Sequence, residues 1–173
     1  MTGIVGVSLV IFGVLGSPIY VFPRSDPEAK SDVVYVIGPP DAAELSIATA
    51  MMRKGLASEL LISVNDRAFD NSTGLGLCVR PQKFRVTCVT PEPFTTQGEA
   101  RLLTQISQKR GWTTATVITG VAHVSRTRLL MGRCFTGDLY VIGTPSRLNA
   151  VEWAGQYLYQ SGAFIKAALS PNC

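Results

Sequence analysis

Histidine, glycine-rich nucleotide loops and runs of basic charge are what this sequence most conspicuously lacks. There is a single histidine, His123, and none of the four cysteines (Cys78, Cys88, Cys134, Cys173) forms a CxxC pair or a Cys/His spacing suited to zinc, so no metal site is expected. No GxGxxG or Walker-type loop is present, and no serine stands in a GxSxG context, which removes the simplest signatures of dinucleotide, phosphate-loop and nucleophile-elbow chemistry. Net charge is +4, yet the basic residues are scattered and do not interleave with aromatics, so no nucleic-acid partner is expected. Charged residues are only 16% of the chain, partly because the first 22 residues contain none.

That charge-free start is the strongest positive feature. Ile4 to Phe22 (IVGVSLVIFGVLGSPIYVF) is apolar on all sides, and as a helix would extend roughly 28 Å. The expectation is an uncleaved membrane anchor, with a cleavable signal peptide as the alternative and a buried core helix as the plain structural reading. Residues 23–31 (PRSDPEAKS), polar with two prolines, read as a linker, and residues 32–173 as one domain. An even cysteine count behind an apolar leader fits disulfides in an oxidising compartment; Cys78 with Cys88 and Cys134 with Cys173 is one arrangement, four buried thiols the other reading. The expected location is therefore the cell membrane, single-pass, with the domain on the extracytoplasmic side, or secreted if the leader is removed.

Within the domain, strands alternate with helices. DVVYVIG (32–38) is a β-branched run stopped by Gly38, Pro39 and Pro40; Asp41 caps a helix over 42–54 that ends at Gly55. Residues 60–64, 85–89, 116–119 and 139–142 read as further strands, and 96–109, 124–133 and much of 146–169 as helices. Thr95 or Thr96 caps the second of these helices, with Glu99 expected to complete a capping box, while residues 65–82 read as a long loop. This alternation implies an α/β fold, an open and mainly parallel Rossmann-like sheet with helices on both faces. Ligands of such sheets bind at the carboxyl ends of the strands, where Gly38, Ser63, Thr96, His123 and Arg126 all fall. A helix start with a guanidinium nearby favours an anion, with Arg126 neutralising it and His123 as the candidate catalytic group, passing a proton near neutral pH. The alternative is structural: His123 satisfying a loop carbonyl and Arg126 pairing with an acid.

Taken in order, VVYVIG, KGLASELLIS, PFTTQGEARLL, VITGVAHVSRTRLL, YVIG and AVEWAGQYLY resemble the YdcF, SanA and ElyC family of envelope proteins (domain of unknown function 218) across nearly all of Asp32 to Phe164. The resemblance implies a Rossmann-like sheet, an N-terminal membrane segment and a part in envelope biogenesis or barrier integrity. One member of that family is linked to S-adenosylmethionine, without an established reaction. Carried onto this chain, the family's strand-end glycine falls on Gly38, its serine on Ser63, its threonine on Thr96, and its late His and Arg on His123 and Arg126. The chain departs from the pattern at Pro39 and Pro40, at Val64 and Asn65, at Glu44 in place of an arginine, and at Gly98 and Glu99. Fewer glycines restrict close backbone approach to a nucleotide, so no particular cofactor is implied. The expected ligand is an anionic small molecule or cell-wall precursor. A hydrolase or transferase acting on a phosphorylated envelope intermediate, and a noncatalytic interaction module, are the alternatives.

Overall fold

The computed structural model describes residues 2–65 and 75–173; side chains are described from residue 10 onward, together with Val7, and excluding Leu75. Its elements run α1 (Thr2–Tyr20), β1 (Val33–Val36), α2 (Ala42–Arg53), β2 (Glu59–Ser63), α3 (Leu75–Val79), β3 (Arg85–Val89), α4 (Thr96–Arg110), β4 (Thr114–Gly120), a 3₁₀ turn (Val121–His123), α5 (Val124–Cys134), β5 (Asp138–Thr144) and α6 (Ala150–Leu169). All strand pairings are parallel, in the order β3-β2-β1-β4-β5. The α/β, Rossmann-like reading is therefore correct.

Period-two alternation divides the buried residues of β1 between the two faces of the sheet. Val33 and Tyr35 pack with Leu103 of α4 and Met131 of α5, whereas Val34 and Val36 pack with Leu45, Ala48 and Met51 of α2. Asp41 caps α2 through a reciprocal capping box with Glu44, and α4 stops at Gly111, whose φ of 73° is left-handed. The direction in which strands are added reverses between β1 and β4: the chain lays β2 and β3 to one side of β1, then returns to lay β4 and β5 on the other. The loops after β1 and β4 thus diverge and leave a crevice between them.

Three expectations change. Residues 23–31 do not form a free tether. Asp26 N–H donates to the Val141 carbonyl (2.9 Å), the Asp26 carboxylate accepts from Val141 N–H (2.8 Å) and pairs with Arg128 (2.8 Å), and Ser25 Oγ accepts from Gly143 N–H (3.0 Å). An edge strand presents a row of unpaired backbone groups, and this segment occupies those of β5. Part of the long loop, at 75–79, is the short helix α3; its remainder, 66–74, lies outside the described residues. The capping box expected at Glu99 does not form, because Thr95 is the cap and Glu99 turns inward.

The apolar leader is helical through Tyr20 and its second half lies on the domain. Tyr157 of α6 stacks edge-on against Phe12 and Tyr20 and donates from its hydroxyl to the Gly13 carbonyl (2.9 Å), while Ser125 Oγ donates to the Ile19 carbonyl (2.7 Å). Among the described residues no helix is long and apolar enough to cross a membrane.

Two disulfides close the domain, Cys78–Cys88 and Cys134–Cys173, and they belong to an oxidising environment. The second ties the C-terminus to the end of α5, where Arg101 and Gln97 also donate to the carbonyls of Cys173 and Asn172. Loop closure scales with the chain spanned, 39 residues against 10, which corresponds to about 4 kcal/mol against about 3 kcal/mol. In urea unfolding, the Cys134→Ser/Cys173→Ser variant is expected to lose more stability than Cys78→Ser/Cys88→Ser; equal losses, or the reverse order, would contradict this account of the C-terminal clasp.

Candidate functional site

The crevice between the ends of β1 and β4 opens into two adjoining cavities, of about 770 and about 230 Å³. Gly38, Pro39 and His123 line both and form their common wall. The larger is bounded by the start of α4, by Arg126 and Leu130 of α5, and by one face of α6 that includes Tyr159 and Lys166. The smaller is bounded by Glu44, Gly120, Gln156 and Gln160 among others.

Arg126 is the centre of the larger cavity's polar wall. Although only 7% exposed, it makes no ion pair with a carboxylate among the described residues. Its partners are neutral: Nε donates to Gln160 Oε1 (3.0 Å), Nη1 to Thr96 Oγ1 (3.0 Å), and Nη2 meets His123 Nε2. Tyr159 lies 5.9 Å from the guanidinium carbon, within cation–π range. Burial lowers the Arg126 pKa, and the nearby Tyr159 and Glu99 act in the other direction. The guanidinium stays charged, since even a lowered arginine remains far above neutral pH.

Thr96 and Gln97 occupy the first turn of α4 and line the same cavity. First-turn backbone N–H groups have no acceptor within their own helix, and they carry the positive end of its dipole. Because Thr95 performs the capping, accepting from Gly98 N–H at 3.2 Å, the Thr96 hydroxyl is left to serve Arg126. A Cβ at Gly98 would collide with the Pro93 carbonyl oxygen, so glycine there lets the preceding loop fold over this turn.

Two carboxyl groups stand close by. Glu99, 2% exposed, accepts from Gly38 N–H at 2.6 Å. Burial raises its pKa, against the opposing effects of the Gly38 N–H, the Ser63 hydroxyl and Arg126. A side chain at position 38 would meet Phe94 at 2.8 Å and the Ser63 carbonyl at 3.0 Å, so the glycine permits this contact between loop and helix. Glu44, 5% exposed, is pushed up to about 7, first by burial and then by its neighbours Asp41 and Glu99, while the backbone N–H groups of Asp41 and Gly120 pull the other way.

His123 behaves differently from the sequence-based expectation. Burial first, and the adjacent Arg126 second, hold its imidazole down at about 3. Neutral and accepting from a guanidinium, it is a poor proton carrier near pH 7, where Glu44 is the group that titrates. It orients Arg126 and lines both cavities at the place where they meet.

Of the residues singled out in the sequence, Gly38, Thr96, His123 and Arg126 meet at one cavity. Ser63 does not: it is fully buried, behind Gly38, and lines neither hollow. Glu44, Glu99, Gln160 and Tyr159 were not among the expected site residues. The signal for the two acids was the replacement of family-pattern residues by Glu44 and by Gly98-Glu99; for Gln160 and Tyr159, no strand-end rule points to the middle of a C-terminal helix. No protein-family model, curated protein or solved structure matches the chain.

Because the chain has one histidine, its imidazole resonances need no assignment. NMR titration is expected to show His123 neutral down to about pH 4 in the folded protein; a midpoint near 6.5 would contradict the buried guanidinium contact. Glu44 adds a linkage of opposite sign. Its folded pKa exceeds the unfolded one, so the native state binds the extra proton and Glu44 costs stability as pH rises from 4.5 to about 7. Relative to wild type, Glu44→Gln is expected to gain stability across that window, by up to about 3 kcal/mol; a difference independent of pH would exclude the raised carboxyl.

Proposed function

We propose that this chain is an envelope protein whose strand-end cavity binds an anionic small molecule, such as a cell-wall precursor, in the course of envelope biogenesis. The observation that carries the reading is Arg126: a buried guanidinium whose hydrogen-bond partners are all neutral, facing a cavity large enough for a ligand. A desolvated cation with no direct ion pair is costly, and an incoming anion relieves that cost. Thr96 and Gln97 add backbone N–H groups at the start of α4, and Lys166 adds a second cation on the opposite wall. Apolar groups in the lining, Leu130 of α5 and Leu158 and Ala163 of α6, suit the carbon portion of an amphipathic ligand.

The resemblance to the YdcF, SanA and ElyC family supports the envelope assignment, and two disulfides agree with the extracytoplasmic side of a membrane. The apolar leader is the proposed membrane contact. It has no charge before Arg24, and Val10, Val14, Leu15 and Phe22 remain exposed after its other side is packed on α6. Binding without turnover is favoured over a hydrolase or transferase, because the imidazole assigned to acid–base work is held neutral by burial first and by Arg126 second.

Two measurements test these statements. For the site, calorimetric titration with ethyl phosphate is expected to show Arg126→Gln binding about 10- to 100-fold more weakly than wild type, with circular dichroism confirming the fold; unchanged affinity would remove Arg126 from the ligand's partners. For the location, the full chain expressed in a bacterium is expected to sediment with membranes and resist alkaline carbonate extraction, or, if the leader is cut, to be recovered outside the cytoplasm without it. Recovery of the intact chain in the cytosolic fraction would overturn the assignment.

A further inference from the structure

The smaller cavity has a character opposite to the larger. Its charged lining group is Glu44, and no lysine or arginine forms an ion pair with that carboxylate among the described residues. Glu44 Oε2 accepts from Asp41 N–H (2.9 Å) and the Gly120 backbone N–H faces the same carboxyl group, so its charge is met by backbone dipoles alone. The ionisable groups surrounding it are Asp41 on its own loop, Glu99 on α4, and His123 followed by Arg126 beyond the shared wall; α6 presents only the amides of Gln156 and Gln160.

Gln160 couples the two hollows. It is 1% exposed, accepts from Arg126 Nε through Oε1, and turns its Nε2 toward Gln156 (3.2 Å) on the side of the smaller cavity. Hydrogen bonds therefore run from the guanidinium through Gln160 to Gln156, and both amides share the lining of the smaller cavity with Glu44 and His123. A volume of about 230 Å³ falls short of the range for a whole drug-sized ligand but readily takes a short aminoalkyl end.

We infer that the two cavities hold the two ends of one zwitterionic ligand, its anion on Arg126 and its primary ammonium group on Glu44. This rests on the anion-binding reading above and narrows its ligand class. A hydroxyl group would add one hydrogen bond to Glu44 but leave the carboxylate charge uncompensated. An ammonium converts a desolvated carboxylate surrounded by other acids into a charge-assisted pair, which is the stronger interaction. Docking the cation releases the Glu44 proton to solvent, so the preference for the amine grows as pH rises.

O-phosphoethanolamine and ethyl phosphate differ by that amine and share a phosphate, so their ratio of affinities isolates the smaller cavity. With the full, disulfide-bonded chain, calorimetry is expected to give O-phosphoethanolamine an advantage of about tenfold at pH 8, shrinking toward pH 6. Glu44→Gln, which keeps an acceptor for the α2 cap, is expected to abolish the advantage while ethyl phosphate still binds. Equal affinities for the two probes in wild type would overturn the inference and leave the anion site standing, a comparison that needs no variant. An advantage that survives Glu44→Gln would also overturn it, by assigning the ammonium to another group. Ethyl phosphate binding that ignores Arg126→Gln, or no binding of either probe at millimolar concentration, would overturn both readings together.

Discussion

A buried guanidinium hydrogen-bonded only to neutral partners is the constraint on which the site depends. Arg126 reaches Thr96 on α4, His123 at the end of the 3₁₀ turn and Gln160 on α6, so one side chain ties three separate segments together at the mouth of the crevice. Each neutral partner satisfies a donor, and none removes the charge. The charge that remains faces the larger cavity, and burial first, with this charge second, depresses the imidazole beside it. An apolar replacement of similar volume would pack more cheaply, since buried charge seldom stabilises a fold on balance. On the proposed reading, a ligand that supplies the opposite charge accounts for its presence at the rim.

The scaffold delivers these residues through ordinary sheet logic. With β1 and β4 adjacent at the centre and the chain winding outward to either side, the loops carrying Gly38 and Gly120 separate and the helix starts converge. The clasp at Cys134–Cys173 then holds the end of α6 and the C-terminal residues against α4 and α5, which sets the outer wall of the cavity. The Ser25 and Asp26 contacts along β5 similarly seat α1 so that it lies on α6. Leader, linker and tail are parts of the packed structure on the described side, and the cavity wall built from α6 is supported from behind by Tyr20 and Phe12.

Much of this was legible in the chain. Buried parallel strands write themselves as unbroken apolar runs, and the stops at Gly38 and Gly55 mark turns between elements, so element order and sheet class followed directly. The strand-end rule then brought Gly38, Thr96, His123 and Arg126 together without coordinates. Ser63 failed the same rule because the final residue of a central strand points inward or outward by parity, and here it points behind Gly38. The ordered linker was missed because the partners of Ser25 and Asp26 are backbone groups of β5 and Arg128, more than a hundred residues away in sequence, which no local pattern reveals. Glu99 was read as a helix cap since its spacing from Thr96 suits one; a single residue's shift of the cap to Thr95 turned it into the anchor of the β1 loop. The chemical character of His123 was beyond reach, as an imidazole pKa depends on which charge it touches and how dry the contact is.

The most direct test of the buried-cation account is a crystal of the disulfide-bonded protein soaked in tungstate, with the anion located by its anomalous signal. The account requires a peak in the larger cavity within hydrogen-bond reach of Arg126 and the first turn of α4, absent in Arg126→Gln. Tungstate found only at other surface sites, or a peak there that persists without the guanidinium, would contradict it.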